Sequence, residues 1–417
     1  MADWQLVNHL DCGDNAVLSV IAPDKSGKKH LVTDITDENA ANKTHAPWFL
    51  GISDDNQVIM YDPVDKKVST QARMPKDAFP AYSYQDPNSD LIWFMFDGDK
   101  THGNDALNCG TNGSSVTIIN RATLSHVKTL CLGSGHHVTT FLSPTEKHPQ
   151  IPKVVYVSNL LSGTISVIDY EENNPDTYLT VISEINLCEP DKEKDNNGTV
   201  PNNAFPHGKQ YSEQTGKVYS LNNGYGTIAV IDPKTQEINS RINLTGASNL
   251  LLSPCGNYII GKGADRKSNT EHVIGKLSVV NLLTETIETE LEITDFYPST
   301  YRFNPQGNKL YVTSAATGKG EQKSNLIFDT LQVYDATKLP ALSLIKTVKI
   351  GKADCGRRPI AFPTDTSINR VFVPNPSDAT MTIIDSIDDS VIDTVKIADT
   401  PGKEFNFSFW QSDVSGA

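Results

Sequence analysis

Two short runs place histidines where they could do chemistry: Gly135-His136-His137-Val138 and Pro206-His207-Gly208-Lys209-Gln210. Three more stand in polar stretches, His45, His102 and His272. A neutral imidazole offers a nitrogen lone pair, and converging imidazoles bind copper, zinc or iron. Such a site, copper first, would perform redox chemistry on a small molecule. The plainer alternative is that these are turn histidines bonding to backbone, as a His in Pro-His-Gly-Lys-Gln is suited to do. Arg357 and Arg358, beside Cys355, offer paired donors that suit a carboxylate or phosphate, or an ion pair with an Asp of a neighbouring repeat. No Cys-x-x-Cys-His run, phosphate-binding glycine loop, Gly-x-Ser-x-Gly elbow or His-Glu-x-x-His run occurs. Covalent haem, nucleotide and serine-elbow chemistry are therefore not indicated.

Something must position these side chains, and the chain repeats itself in a way that says what. Lys153-Val-Val-Tyr-Val-Ser-Asn with Gly163-Thr-Ile-Ser-Val-Ile-Asp is echoed by Lys217-Val-Tyr-Ser-Leu-Asn-Asn with Gly226-Thr-Ile-Ala-Val-Ile-Asp. Arg370-Val-Phe-Val-Pro-Asn with Ala379-Thr-Met-Thr-Ile-Ile-Asp is a third copy, and weaker copies lie around 91, 257 and 308. The first copy is Lys29-His-Leu-Val-Thr with Gln57-Val-Ile-Met-Tyr-Asp. Each unit is a strand, a polar turn and a second strand ending in Asp or Asn, with a short apolar strand before and another after. Four β-branched strands per repeat, without a long helical period, predict an all-β fold. That fold is a seven-bladed β-propeller of four-stranded antiparallel blades, expected as a single domain over 1–417. Its blades fall at about 14–74, 79–132, 134–188, 204–244, 246–293, 296–350 and 355–397. An eight-bladed count competes with it. Trp4-Gln-Leu-Val-Asn-His-Leu reads as an outermost strand and Phe405-Asn-Phe-Ser-Phe-Trp as an innermost one, so pairing of the ends would close the ring.

The strands Val155-Tyr-Val-Ser-Asn, Val218-Tyr-Ser-Leu-Asn and Leu310-Tyr-Val-Thr-Ser, with the turns Ser253-Pro-Cys-Gly and Asn304-Pro-Gln-Gly, resemble the YVTN-repeat family of propellers. The Gly-His-His-Val run also resembles the His-rich propellers of the nitrous oxide reductase superfamily, although no cupredoxin-like copper domain accompanies it. This resemblance implies that loops entering each innermost strand, and those joining second to third strands, open on one end of a channel. His136, His137 and His207 then fall in entry loops and His45, His102 and His272 in second-to-third loops. His137 aligns with Pro206, and His207 lies one residue later. Such propellers serve surface recognition, lactone hydrolysis and redox chemistry alike. A non-catalytic protein- or glycan-binding module and a metal-independent lactonase or lyase are thus the alternatives to a metal site.

Long polar loops at 34–56, 97–114, 262–275 and 314–329 suit a lid or a partner-binding rim, and the insert Glu189 to Asn203 reads as mobile. A net charge of −14 disfavours nucleic acid and anionic lipid. No apolar run is long enough to span a bilayer and the start lacks signal-peptide order, so the chain reads as soluble: cytoplasmic, or periplasmic or secreted if a leader was removed. Six sparse cysteines without Cys-x-x-Cys spacing indicate neither a disulfide framework nor a zinc ribbon. Asn-x-Ser/Thr triplets at Asn42, Asn112, Asn197, Asn243 and Asn406 matter only in a eukaryotic secretory setting.

Overall fold

The computed structural model describes residues 4–11, 16–23, 49–52, 57–62, 67–73, 79–85, 89–97, 109, 114–120, 125–195, 197–318, 320–353, 358–362, 369–396 and 404–409. Before residue 84, at 85, 96, 97, 136 and 137, and over 404–409, the description is of backbone alone. Among the described residues the strands form eight sheets, five of four strands and three of three.

The chain divides into two compact units. One comprises Ala72–Gly263 and Lys276–Leu291, and is called here the central unit. Its first sheet is β6 (Phe79–Gln85), β7 (Leu91–Asp97), β8 (Ser114–Asn120) and β9 (Ser125–Leu132). The second is β10 (His136–Leu142), β11 (Val154–Asn159), β12 (Thr164–Asp169) and β13 (Val181–Asn186). The third is β14 (Pro206–Ser212), β15 (Lys217–Asn222), β16 (Thr227–Asp232) and β17 (Glu237–Asn243). The fourth is β18 (Ala247–Leu252), β19 (Tyr258–Asp265), β20 (Ile274–Asn281) and β21 (Thr286–Thr294), whose tips extend into the other unit.

Burial follows position within the sheets whose side chains are described. β11 and β12 are buried at every residue, whereas the last strand β13 is mostly exposed. A strand covered on both faces must be apolar or small throughout, which is why the repeats read as continuous β-branched runs. The first strands β6, β10, β14 and β18 pack in succession. Between the second and third sheets, Val154, Tyr156 and Val167 meet Val218, Ala229 and Ile231 in one core. The turns between second and third strands close on glycine, Gly163 with φ +72° and Gly226 with φ +66°. This left-handed backbone favours glycine.

The terminal unit comprises Met1–Gln71, Ala264–Gly275 and Glu292–Ala417. It contains β3 (Phe49–Ile52), β4 (Gln57–Asp62) and β5 (Lys67–Arg73); β22 (Pro298–Phe303), β23 (Lys309–Ser314), β24 (Thr330–Asp335) and β25 (Ser343–Lys349); and β26 (Arg370–Asn375), β27 (Thr380–Asp385) and β28 (Val391–Lys396). Its remaining sheet joins β1 (Trp4–Asp11) and β2 (Ala16–Pro23) to β29 (Glu404–Phe409), which runs parallel to β2. The two ends of the chain therefore share a sheet, and that sheet is the eighth. β2, placed by the sequence in the first repeat, belongs to it instead. The strand expected at Lys29-His-Leu-Val-Thr lies outside the described residues.

The cysteines require a correction. Cys109 and Cys131 are disulfide-bonded with Cα atoms 5.2 Å apart, although no disulfide framework was indicated. Their partnership arises because the chain after β7 returns Cys109 beside β9, a proximity that sequence spacing does not encode. Cys188 and Cys255 are free.

Candidate functional site

Strand register defines the entry end of β10 and β14. His136 pairs with Asn159 and Thr139 with Val157, so β10 carries one extra residue there; Pro206 pairs with Asn222 and Gly208 with Leu221, the same bulge in β14. Asn159 and Asn222 each open an equivalent turn, bonded by Gly163 N–H at 2.8 Å and Gly226 N–H at 2.9 Å. Pro206 is thus the counterpart of His136, and His137 and His207 hold the same bulged position in neighbouring strands. The one-residue offset expected from the sequence disappears because the bulge, not the motif, sets the count.

Lys209 fastens these strands together. Its Nζ donates to the carbonyls of Val138 at 3.0 Å and Tyr156 at 2.9 Å and to Ser158 Oγ at 3.1 Å. Burial pushes its pKa well below the ordinary lysine value. The bond to Val138 pins the residue after His137 to the strand that carries His207.

A buried carboxamide lies at the same end. In the parallel positions, Asn159 Nδ2 donates to Thr164 and Ser166, and Asn375 Nδ2 to Thr380 and Thr382, all within 3.0 Å. Asn222 has Ala229 where Asn159 has Ser166, and the Thr227 hydroxyl is drawn off to Glu189. Asn222 is fully buried, and neither of its amide atoms has a hydrogen-bond partner among the described residues. It alternates with Val218, so it faces the sheet that bears His136 and His137.

The Glu189 to Asn203 insert, expected to be mobile, is instead tied down. Glu189 is buried, accepts from Thr227, and pairs with Lys192 at 2.8 Å and Arg241 at 3.2 Å. Burial alone would raise its pKa, but bonds from Lys192 and Thr227, with the Arg241 charge, hold it below the usual carboxylate value. Glu193 accepts from the Asn203 backbone and side chain at 2.7 Å and from the Tyr225 hydroxyl. The composition suggested disorder because the stretch is charged; two of its carboxylates, Glu189 and Glu193, turn out to be held by specific hydrogen bonds and ion pairs.

In the terminal unit, two of the long loops interlock. A short helix α1 (Glu321–Asn325) buries Gln322, whose Nε2 donates to the carbonyls of Arg266 at 3.2 Å and Asn269 at 2.5 Å. His272 Nδ1 lies 2.9 Å from Asp295 Oδ1, which orients the imidazole with Nε2 outward and 3.9 Å from Glu271. Arg358 is fully buried and its Nη2 donates to Gly351 O at 2.9 Å, so it presents no surface to solvent. Of the six candidate histidines, His207 and His272 have described side chains, and they belong to different units. His136 and His137 are placed by backbone, and His45, His102 and Arg357 lie outside the described residues. Among the described residues no three of His, Cys, Asp and Glu form a metal-holding group. Lys209, Asn222 and Glu189 had no signal of their own in the sequence; only comparison of the aligned repeats, Ala229 against Ser166, points to Asn222.

No family model and no curated protein matches the chain. Solved structures do. The β-propeller domain of Cps50 (Swd1) from Myceliophteria thermophila superposes with a TM-score of 0.54 at 10% identity, covering 91% of this chain and 98% of that one. The fold is a β-propeller. Hydrazine synthase of Kuenenia stuttgartiensis gives 0.50 at 14% identity over 78% and 88% of the two chains. A putative 6-phosphogluconolactonase from Bacteroides uniformis gives 0.50 at 12% over 90% and 98%. At these identities the likeness is one of fold alone, and this propeller scaffold carries several unrelated functions. Among the described residues no helix is long and apolar enough to cross a membrane.

Proposed function

We propose that the entry end of β10 and β14 binds a transition metal ion, copper first, with His136, His137 and His207 as donors, and acts on a small molecule. The observation that carries this reading is the shared bulge: His137 and His207 occupy one structural position in strands packed directly together and fastened by Lys209. The donor set fits, since imidazoles suit copper, zinc and iron. Asn222, buried without a partner and facing the same strands, supplies an amide for a polar ligand. Copper bound there would supply one-electron chemistry. The protein's own part is to hold the two strands in register through Lys209 and to orient the ligand through Asn222.

The strands that resemble YVTN repeats are β11, β15 and β23, the buried second strands of their sheets, which supports that finer assignment. The Cys109–Cys131 bond favours an oxidising compartment, periplasmic or secreted. A second reading, a protein- or glycan-binding module, is supported by the interlocked loops around Gln322, which form an ordered rim.

Elemental analysis of the purified protein, before and after chelation, tests the metal. Stoichiometric metal that is lost in both His137→Ala and His207→Ala is the expected result. A folded wild-type protein that takes up no copper, zinc or iron would sink the proposal and bring forward the binding-module reading.

A further inference from the structure

Three sheets of the central unit enter their first strands through one equivalent residue, fixed by register: Gly135 before His136, Phe205 before Pro206 and Gly246 before Ala247. All three are left-handed, with φ of +66°, +46° and +83°. Glycine adopts this backbone freely, whereas an aromatic residue is strained in it. The flanking repeats use the residue that the backbone prefers, and the middle one does not.

The surroundings hold Phe205 in that conformation. Ala204 N–H donates to Asn202 Oδ1 at 3.0 Å, Gly224 N–H to Ala204 O at 2.9 Å and Asn223 N–H to Phe205 O at 3.3 Å. Gly224 makes room: a Cβ there would stand 1.9 Å from Asn203 O and 2.6 Å from Phe205 Cδ2. The ring rests on Gly224 and remains 36% exposed, one residue from Pro206-His207. Two further apolar side chains stand out on loops tied to the same end, Leu161 at 41% and Val200 at 45% exposure. Leu161 N–H bonds Ser134 O at 3.0 Å and Asn202 N–H bonds Ser162 O at 3.3 Å. Strain retained at one repeat and absent from its neighbours points to a role outside the fold.

We infer that Phe205 is a ligand-contact residue, and that the ring, with Leu161 and Val200 on the flanking loops, is the apolar wall of the entry end. The ligand class it fits is a small organic molecule with a flat, aromatic or otherwise apolar part and a polar part. The apolar part lies on Phe205, and the polar part is turned to the partnerless Asn222 amide and to His207. The inference rests on the entry end of β10 and β14 being the binding face, and it needs no metal.

Fluorescence titration with anilinonaphthalene sulfonate, an aromatic anion, tests it on chelated and metal-loaded full-length protein. Wild type should bind the dye saturably. Phe205→Gly should weaken binding about tenfold or more, with Tm within about 3 °C of wild type, and Phe205→Tyr should restore it to within about twofold. Unchanged binding in Phe205→Gly, or no saturable binding by wild type, overturns the inference. So does a fall in Tm of about 8 °C or more, which marks a packing role. Dye binding that depends on Phe205 in a protein holding no metal would sink the metal reading and leave this one standing. Metal-loaded protein whose dye binding ignores Phe205 would do the reverse.

Discussion

Lys209 shows how much one side chain decides. Its ammonium spends three donors on Val138, Tyr156 and Ser158, which ties β14 to the strand of His136 and His137 and to its neighbour. Lys209→Met removes three buried hydrogen bonds, and chemical denaturation should show a loss of about 3 kcal/mol. The loss should depend on pH. Burial lowers the folded-state pKa, while the unfolded chain keeps its proton up to about 10.4. Between the two values the unfolded state binds more protons, so wild-type stability rises with pH, and the variant lacks that rise. The Tm gap between wild type and Lys209→Met should therefore widen from about pH 7 to about pH 10. A gap that stays flat would mean that the three acceptors keep the ammonium at its ordinary pKa. None of this was legible from the run Pro-His-Gly-Lys-Gln, because a lysine's burial depends on the sheet packed against it.

Among the elements, the loops departed furthest from what composition suggested. The Glu189 to Asn203 insert has the charge density of a disordered stretch, yet Glu189 is ion-paired with Lys192 and Arg241, and Glu193 is hydrogen-bonded by Asn203 and the Tyr225 hydroxyl. The Cys109–Cys131 bond likewise ties Cys109 to β9. Its 22-residue separation predicts about 3 kcal/mol of stabilisation through restriction of the unfolded chain. Denaturant titration of Cys131→Ser against wild type, both without reductant, should show that difference. Equal midpoints would mean that the bond adds nothing to stability. The strands, by contrast, were legible almost to the residue. The expected repeat at 204–244 contains β14 to β17 over 206–243, because a strand covered on both faces leaves a run of β-branched residues that nothing else produces.

For the molecule as a whole, the meeting of the two chain ends matters most. β29 lies parallel to β2 from Ala16 opposite Glu404 to Ile21 opposite Phe409. Deleting 404–417 would bare the backbone edge of β2, and exposed edges recruit other strands. The deletion variant should show a lower Tm and concentration-dependent oligomers by size-exclusion chromatography. A monomeric variant of unchanged Tm would show that β29 contributes nothing to the terminal unit.

The amino-acid order alone determined the repeat, its strands and its turns, because local β-propensity, continuous apolar runs and turn glycines are properties of short segments. It also marked the histidines, whose side-chain chemistry is the same wherever they stand. It could not decide the eighth sheet, the Cys109–Cys131 pair, the common bulge of His137 and His207, the partnerless Asn222 or the strained Phe205. Each of these depends on which residues from distant repeats come to lie within hydrogen-bonding distance. That is set by sheet-on-sheet packing and strand register, in which a shift of one residue exchanges every neighbour.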